Sequence, residues 1–232
     1  MRVALILLAS LLAMPAAALD LSPTTLQLPV EGGRTELWLY NPGPGHWQGQ
    51  VRVLAWEQQV DAERLRPTGQ ILASPIQLDL APGIRQRVWL LPGRPEPVAG
   101  EQAYRIVLEP SRAGLPRYSL PLFRGQAAPQ AQPRVQARLD ADASQPHLRL
   151  NNAGPLHARL HDLVFVAEDG QRTLLLPGLA GYLLAGHERR WALPPRPNGY
   201  HGGRFQAHLQ DGRQVELTAP DPTIAAGAPS GL

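Results

Sequence analysis

The sequence predicts an all-β chain folded as two antiparallel β-sandwiches of about 100 residues each. Three observations predict it. Apolar residues recur in short runs with a period of two, Pro and Gly bound those runs, and no window of 12 residues keeps an unbroken 3.6-residue period. The 25 Pro and 22 Gly among 232 residues make the chain rich in turns, yet below the roughly 25–30% of low-complexity disorder. With 44% hydrophobic residues it can bury a core.

Taken in order, Arg2, an apolar run from Val3 to Met14, Pro15 and three Ala have the form of a secretory signal peptide, residues 1–18, with cleavage expected after Ala18. The run is shorter than the roughly 20 residues of a membrane span. A first sandwich is expected over 19–125. Leu26 and Leu28 open it, and Leu37 to Tyr40 run into Asn41-Pro42-Gly43-Pro44-Gly45, a sequence that forces a turn. Gln50 to Trp56 follow, with Val51, Val53 and Ala55 on one side. Ile76, Leu78 and Leu80 make the next strand, turned at Pro82-Gly83 before Arg87 to Leu91. Tyr104 to Leu108 and Tyr118 to Phe123 complete about seven strands.

Residues 126–133 are small and polar and read as a linker. The strand rhythm restarts over 134–219 with Arg134 to Leu139, Leu148 to Leu150, a turn at Asn151 to Gly154, and Leu160 to Val166 closed by Asp169-Gly170. Leu174 to Leu176, Trp191 to Leu193, Phe205 to Leu209 and Val215 to Leu217 follow, and 220–232 reads as a disordered tail. The stretch Leu37 to Gly43 is echoed by Leu148 to Gly154, each ending a strand with Asn and Gly.

Composition excludes several classes of function. All 22 basic residues are Arg, scattered along the chain, and the formal charge is only +3. A nucleic-acid partner would call for a clustered basic stripe. Without Cys there is no disulfide framework, thiolate ligand or Cys nucleophile. His157 and His161 have the i, i+4 spacing of a helical metal pair, but they stand in a strand-like context that sets them about 13 Å apart. No nucleophile elbow, zinc-protease motif or phosphate-binding loop is present. The chain therefore reads as no enzyme, with no cofactor. The 13 aromatic residues are expected mainly in the cores.

Several fragments resemble one family. Trp56-Glu57-Gln58, Ala81-Pro82-Gly83, Gln86-x-Val88, Glu101-x-x-Tyr104-Arg105, Tyr118-Ser119-Leu120-Pro121-Leu122-Phe123, Asn152-x-Gly154 and Gly181-Tyr182-Leu183-Leu184-Ala185-Gly186-x-x-Arg189-x-Trp191 are similar to the periplasmic chaperones of chaperone-usher pili, most of all to the archaic, spore-coat-like branch. The resemblance spans nearly the whole chain after residue 18. It implies two immunoglobulin-like sandwiches in an L-shaped or boomerang arrangement, a periplasmic location, and pilus or fimbrial subunits and an outer-membrane usher as partners. It implies no cofactor, no nucleic acid and no membrane insertion. Such chaperones complete a pilin that lacks its last strand by lending one of their own, a β-augmentation called donor-strand complementation. The alternative reading is a secreted two-sandwich module that binds another peptide or protein without lending a strand.

The resemblance also assigns residues. The lent strand is the last of the first sandwich, with Tyr118, Leu120 and Leu122 alternating on one face. Pro110 to Pro116 stand where the family continues this strand, which shortens it. Family members clasp the subunit's C-terminal carboxylate between the domains with an Arg on the first strand and a Lys on the lent strand. Here Pro23 or Thr24 and Leu120 fall at those positions, and Arg117 is the expected substitute. Glu101, Arg124 and Asp211 match an interdomain charge cluster, while Trp89 replaces the Arg usual after the Gln-x-Val stretch.

Overall fold

A computed structural model describes residues 18–29, 33–93, 99–125, 130–140, 145–197 and 199–217. The expected signal segment up to residue 17, linker residues 126–129 and the tail from 220 lie outside the described residues. The predicted all-β class holds: among the described residues there is no helix. In the first half the strands are β1 (Asp20–Ser22), β2 (Leu26–Leu28), β3 (Thr35–Tyr40), β4 (Trp47–Gln59), β5 (Ala62–Pro67), β6 (Ile71–Ser74), β7 (Gln77–Leu80), β8 (Arg85–Pro92), β9 (Gln102–Pro110) and β10 (Tyr118–Arg124). In the second half they are β11 (Val135–Asp140), β12 (His147–Asn152), β13 (Ala158–Val166), β14 (Arg172–Leu183), β15 (Glu188–Ala192), β16 (Arg204–His208) and β17 (Gln214–Leu217).

Sheet one of the first half runs β1-β3-β8-β6. Sheet two runs β2-β10-β9-β4-β5, with β7 also on β4. Alternation decides which side chains meet between them: Leu37 and Leu39 of β3, Val88 and Leu90 of β8, Val51 of β4 and Ile106 of β9 all lie in one buried cluster. The second half packs sheet three, β11-β12-β15, on sheet four, β14-β13-β16-β17. Its core centres on Phe165, Tyr200 and Phe205, whose rings lie 5.0–5.7 Å apart, within the range of favourable aromatic pairing.

The internal echo is a shared device. Asn41 is fully buried, its Nδ2 donating to the carbonyls of Gly45 (2.8 Å) and Leu80 (2.9 Å) while its Oδ1 accepts from Gly43 N–H (3.1 Å). Asn152 is equally buried and donates to Leu156 and Leu183 (2.7 and 3.2 Å) while accepting from Gly154 and Arg134 (both 3.0 Å). Each Asn satisfies backbone groups that a turn would otherwise leave buried and unpaired.

Several strands depart from expectation, each for a local reason. β5 was not foreseen because Ala-Glu-Arg-Leu-Arg-Pro has no buried alternation; it is an exposed edge along its whole length. Ile76 lies outside β7 and is exposed. β14 extends far beyond Leu174–Leu176, passing Pro177 and Gly178 by register shifts against β13. There Asp162, at φ 51°, accepts Gly178 N–H at 2.7 Å, so a side chain replaces the missing ladder bond.

Candidate functional site

β10 is built from alternating apolar residues, and its two rims are unequal. One rim pairs antiparallel with β9 along its full length, from Tyr118 opposite Leu108 to Arg124 opposite Gln102. On the other rim β2 pairs in parallel with Leu122 to Arg124 only. Upstream of β2 the chain belongs to sheet one, where β1 pairs with β3, and residues 23–25 cross between the sheets. Among the described residues, therefore, no strand pairs the outer rim of Tyr118 to Pro121.

Tyr118, Leu120 and Leu122 do alternate on one face, and that face is the inner one. Leu122, with Leu26 opposite, is 0% exposed, whereas Leu120, beyond the reach of β2, keeps 8%. Tyr118 packs against the same core, and its hydroxyl accepts the Leu19 N–H at 2.6 Å. A strand added at this rim would share the core of the first sandwich.

Arg117 does not stand between the domains. Its Nη2 lies 3.5 Å from Glu109, which also binds Arg52 at 3.4 Å, in the hairpin end of β9 and β10. Seven residues of extended chain separate it from Arg124, roughly 23 Å at about 3.3 Å per residue. The expected charge cluster is divided as well. Asp211 is exposed and binds Arg213 of its own turn at 2.6 Å, because an Asp before Gly folds its carboxylate back on the next turn residues. Hydrogen bonds from Arg213 hold its carboxyl below the usual carboxylate range.

Glu101 finds another partner, His157, whose backbone N–H and Nδ1 lie 2.6 and 3.0 Å from the carboxylate. The same imidazole stacks on Phe123 at 3.5 Å with its plane 3° from parallel. Arg124 is buried beside them. Gly125 is required here, since a Cβ would lie 2.6 Å from Glu101 Cα.

The rest of the junction is an apolar and cationic seam. Trp56, Phe123, Tyr182 and Leu184 form a buried cluster of their own across the two halves. The Gln58 amide clamps the end of β14, donating to Tyr182 C=O and accepting from Leu184 N–H, both at 2.8 Å. Arg190 N–H donates to Val60 C=O at 2.9 Å. Arg189 binds Glu63 at 2.6 Å and Arg190 binds Asp61 at 2.7 Å.

Where the crossing segment enters β2, Thr25 Oγ1 meets the Tyr182 hydroxyl at 3.3 Å. Two guanidiniums lie within 6 Å of the Tyr182 ring centre: Arg105, which also covers Trp56 at 3.7 Å, and Arg159, directly opposite Tyr182 on β13. Burial pulls the Arg105 guanidinium below its usual pKa, opposed by Glu63, 3.8 Å away. Arg159 makes no ion pair among the described residues. Its Nε and the Trp56 Nε1 are buried donors without a partner.

His157, Gln58 and Arg159 escaped sequence reasoning. In its strand-like context His157 reads as a surface or turn histidine rather than a metal ligand, whereas its side chain is largely buried against Phe123 and Glu101. For Gln58 the one available signal is its place in the Trp56-Glu57-Gln58 fragment of the family resemblance.

No protein-family model matches the chain, and no curated protein does. Solved structures do. A chain of the CsuC–CsuE chaperone–tip adhesion subunit pre-assembly complex from the archaic chaperone-usher Csu pili of Acinetobacter baumannii superposes with a TM-score of 0.71 at 22% identity, covering 88% of this chain and 100% of that one. The E. coli chaperone DraB gives 0.59 at 16% identity, over 86% of this chain and 96% of that one. A chain of the Salmonella enterica SafA pilin–SafB chaperone complex gives 0.57 at 13% identity, over 88% and 95%. The likeness establishes the fold: this chain has the two-domain all-β architecture of chaperone-usher pilus chaperones.

Proposed function

We propose that this chain is a periplasmic, non-catalytic chaperone that holds incomplete pilus subunits by lending them the rim of Tyr118 to Pro121, and passes them to an outer-membrane usher. The observation that carries this reading is the half-paired β10. It presents a rim that no described strand pairs from Tyr118 to Pro121, and on it Leu120, a side chain of the first core that β2 does not reach, which is what an added strand would share with an incomplete sandwich. The fold, shared with chaperones solved with a pilin or a tip subunit, supports the same assignment.

The subunit's terminal carboxylate is assigned to the junction rather than to Arg117. A strand laid on the open rim is stopped at Leu122, where β2 takes over, and the Thr25–Tyr182 contact lies next to that point. Arg159 and Trp56 bring two unpartnered buried donors to Tyr182, and Arg105 a second cation. A carboxylate is the acceptor that would satisfy them.

Co-expression with a pilin subunit that lacks its own last strand tests the reading. A soluble 1:1 complex is expected, weakened at least about tenfold by Arg159→Ala and unchanged by Arg117→Ala. An insoluble subunit and no complex would overturn the chaperone assignment. A complex indifferent to Arg159→Ala would overturn only the anchor.

A further inference from the structure

The outer face of sheet one lies on the side of the first sandwich away from the junction, and it carries a row of interleaved cations and indoles. In β3 and β8, Trp38 stands directly opposite Arg87, Glu36 opposite Trp89, and Tyr40 opposite Arg85. The Arg85 guanidinium lies 4.3 Å from the Trp38 ring centre. Arg87 lies between both indoles, at 5.1 Å from Trp38 and 4.0 Å from Trp89, and Arg34 covers Trp89 at 3.9 Å. The order along the face is Arg85, Trp38, Arg87, Trp89, Arg34. Among the described residues the row contains one ion pair, Arg87 with Glu36 at 3.4 Å, and Asp20 stands beyond Tyr40 at its margin.

Stacking occupies the flat face of each guanidinium and leaves its N–H edge directed elsewhere. The indoles also restrict the rotamers, so a ligand meets donors that are already ordered. Arg85 and Arg87 are two residues apart on one strand, a spacing of about 6.8 Å, which is the repeat of alternate side chains in an extended peptide. Two exposed apolar side chains flank the row, Tyr40 at 39% and Leu72 at 51%. A bare polyanion would make no use of them.

We propose that this face is a docking surface for an extended acidic polypeptide segment carrying carboxylates on alternate residues, which the guanidinium edges receive while Tyr40 and Leu72 pack against the intervening side chains. The site is separate from the β10 rim, so a subunit and the acidic partner can be held at once. It stands whether or not strand donation does.

The test is isothermal titration of the full chain after residue 18, at low ionic strength, with a synthetic decapeptide of alternating Glu and Thr. Saturable binding is expected, with none to the Gln-Thr counterpart. Arg34→Gln/Arg85→Gln should weaken it about tenfold or more, while Arg64→Gln/Arg66→Gln, an equal loss of charge on β5, should leave it within about twofold. Trp38→Leu removes no charge but should also weaken binding, because Arg85 and Arg87 lose their support; a thermal melt checks that each variant is folded. Absence of binding, equal loss in both Arg pairs, indifference to Trp38→Leu, or binding of polyphosphate or heparin in place of the peptide would each overturn the proposal.

Discussion

The two sandwiches end in edge strands of opposite character. β17 has four residues, and Glu216 on it pairs with Arg204 at 3.5 Å, so the rim of the second sandwich carries charge. β10 has seven, from Tyr118 to Phe123 without a charged side chain, and its last five are buried. Other edges are guarded too: β5 by Glu63, Arg64 and Arg66, β14 by Pro177 and its glycines, β1 and β6 by being short. Charges, prolines, bulges and shortness are the ordinary defences of an edge against unwanted pairing. Of these β10 carries only Pro121, in a rim otherwise uncharged from Tyr118 to Phe123, and that is the contrast on which the proposed pairing with another molecule rests.

The first way to break the comparison is at what the halves share. Asn41→Ala and Asn152→Ala each strip partners from three or more backbone groups, including the buried Leu80 C=O in one case and the buried Leu183 C=O and Gly154 N–H in the other, and buried unsatisfied groups cost about 1–3 kcal/mol each. A loss of about 3–5 kcal/mol is expected from either change in urea unfolding, confined to the half that carries it. A loss below about 1 kcal/mol in one half would mean that the echo is only a likeness of sequence.

Gln58→Ala acts where the halves meet. It removes two buried hydrogen bonds to the Tyr182–Leu184 backbone, and about 2 kcal/mol of coupling should vanish. Calorimetry should then separate one unfolding transition into two; a single unshifted transition would show that the Trp56–Phe123–Tyr182 cluster alone unites the molecule.

Guarding the unguarded edge sharpens the contrast most directly. Ser119 is exposed on the outer face of β10, so Ser119→Lys should leave stability within about 0.5 kcal/mol. As a protective charge on an edge, it should still weaken a subunit complex about tenfold, or about 1.4 kcal/mol. Gel filtration of the co-expressed proteins reads the outcome, and an undiminished complex would remove the rim from the mechanism.

What the sequence conveyed follows the same division between local and distant. Period-two alternation and Pro-Gly turns are local, and they yielded the fold class and the placing of Tyr118, Leu120 and Leu122 on one face, though not that this face is the inner one. β5 and the long β14 were missed because their pairing comes from neighbours: one has no buried face, and the other passes Pro177 with help from Asp162, 16 residues away in sequence. At the site, the partnership of Glu101 with His157 spans 56 residues and that of Gln58 with Leu184 spans 126. Position matching gave Glu101 its place without its partner. Arg117, the expected carboxylate anchor, stands at the Glu109 end of β10, and nothing local to it in the sequence marks Glu109 as its neighbour. The outward Trp38 and Trp89 were likewise taken for core, since alternation alone does not say which face of a sheet is inside.

The smallest effect again sets one half against the other. Asp79, beside His46 and Gln48, and Asp211, beside Arg213, are both held below the usual carboxylate range by side-chain hydrogen bonds, one in each half. A carboxylate whose folded pKa is depressed contributes stability that is present above its unfolded value, about 3.9, and lost as pH falls through the folded value. Asp79→Asn and Asp211→Asn should therefore lie slightly below the parent in stability at pH 6 and converge with it in acid, as read by urea midpoints across pH. Both groups are exposed and screened, so added salt should shrink both gaps. The Asp211 gap should shrink more than the Asp79 gap, because the guanidinium of Arg213 keeps its charge at pH 6 whereas Gln48, which also bonds Asp79, carries none. Equal salt dependence would mean that the neutral Gln48 hydrogen bond does not set Asp79 apart from Asp211.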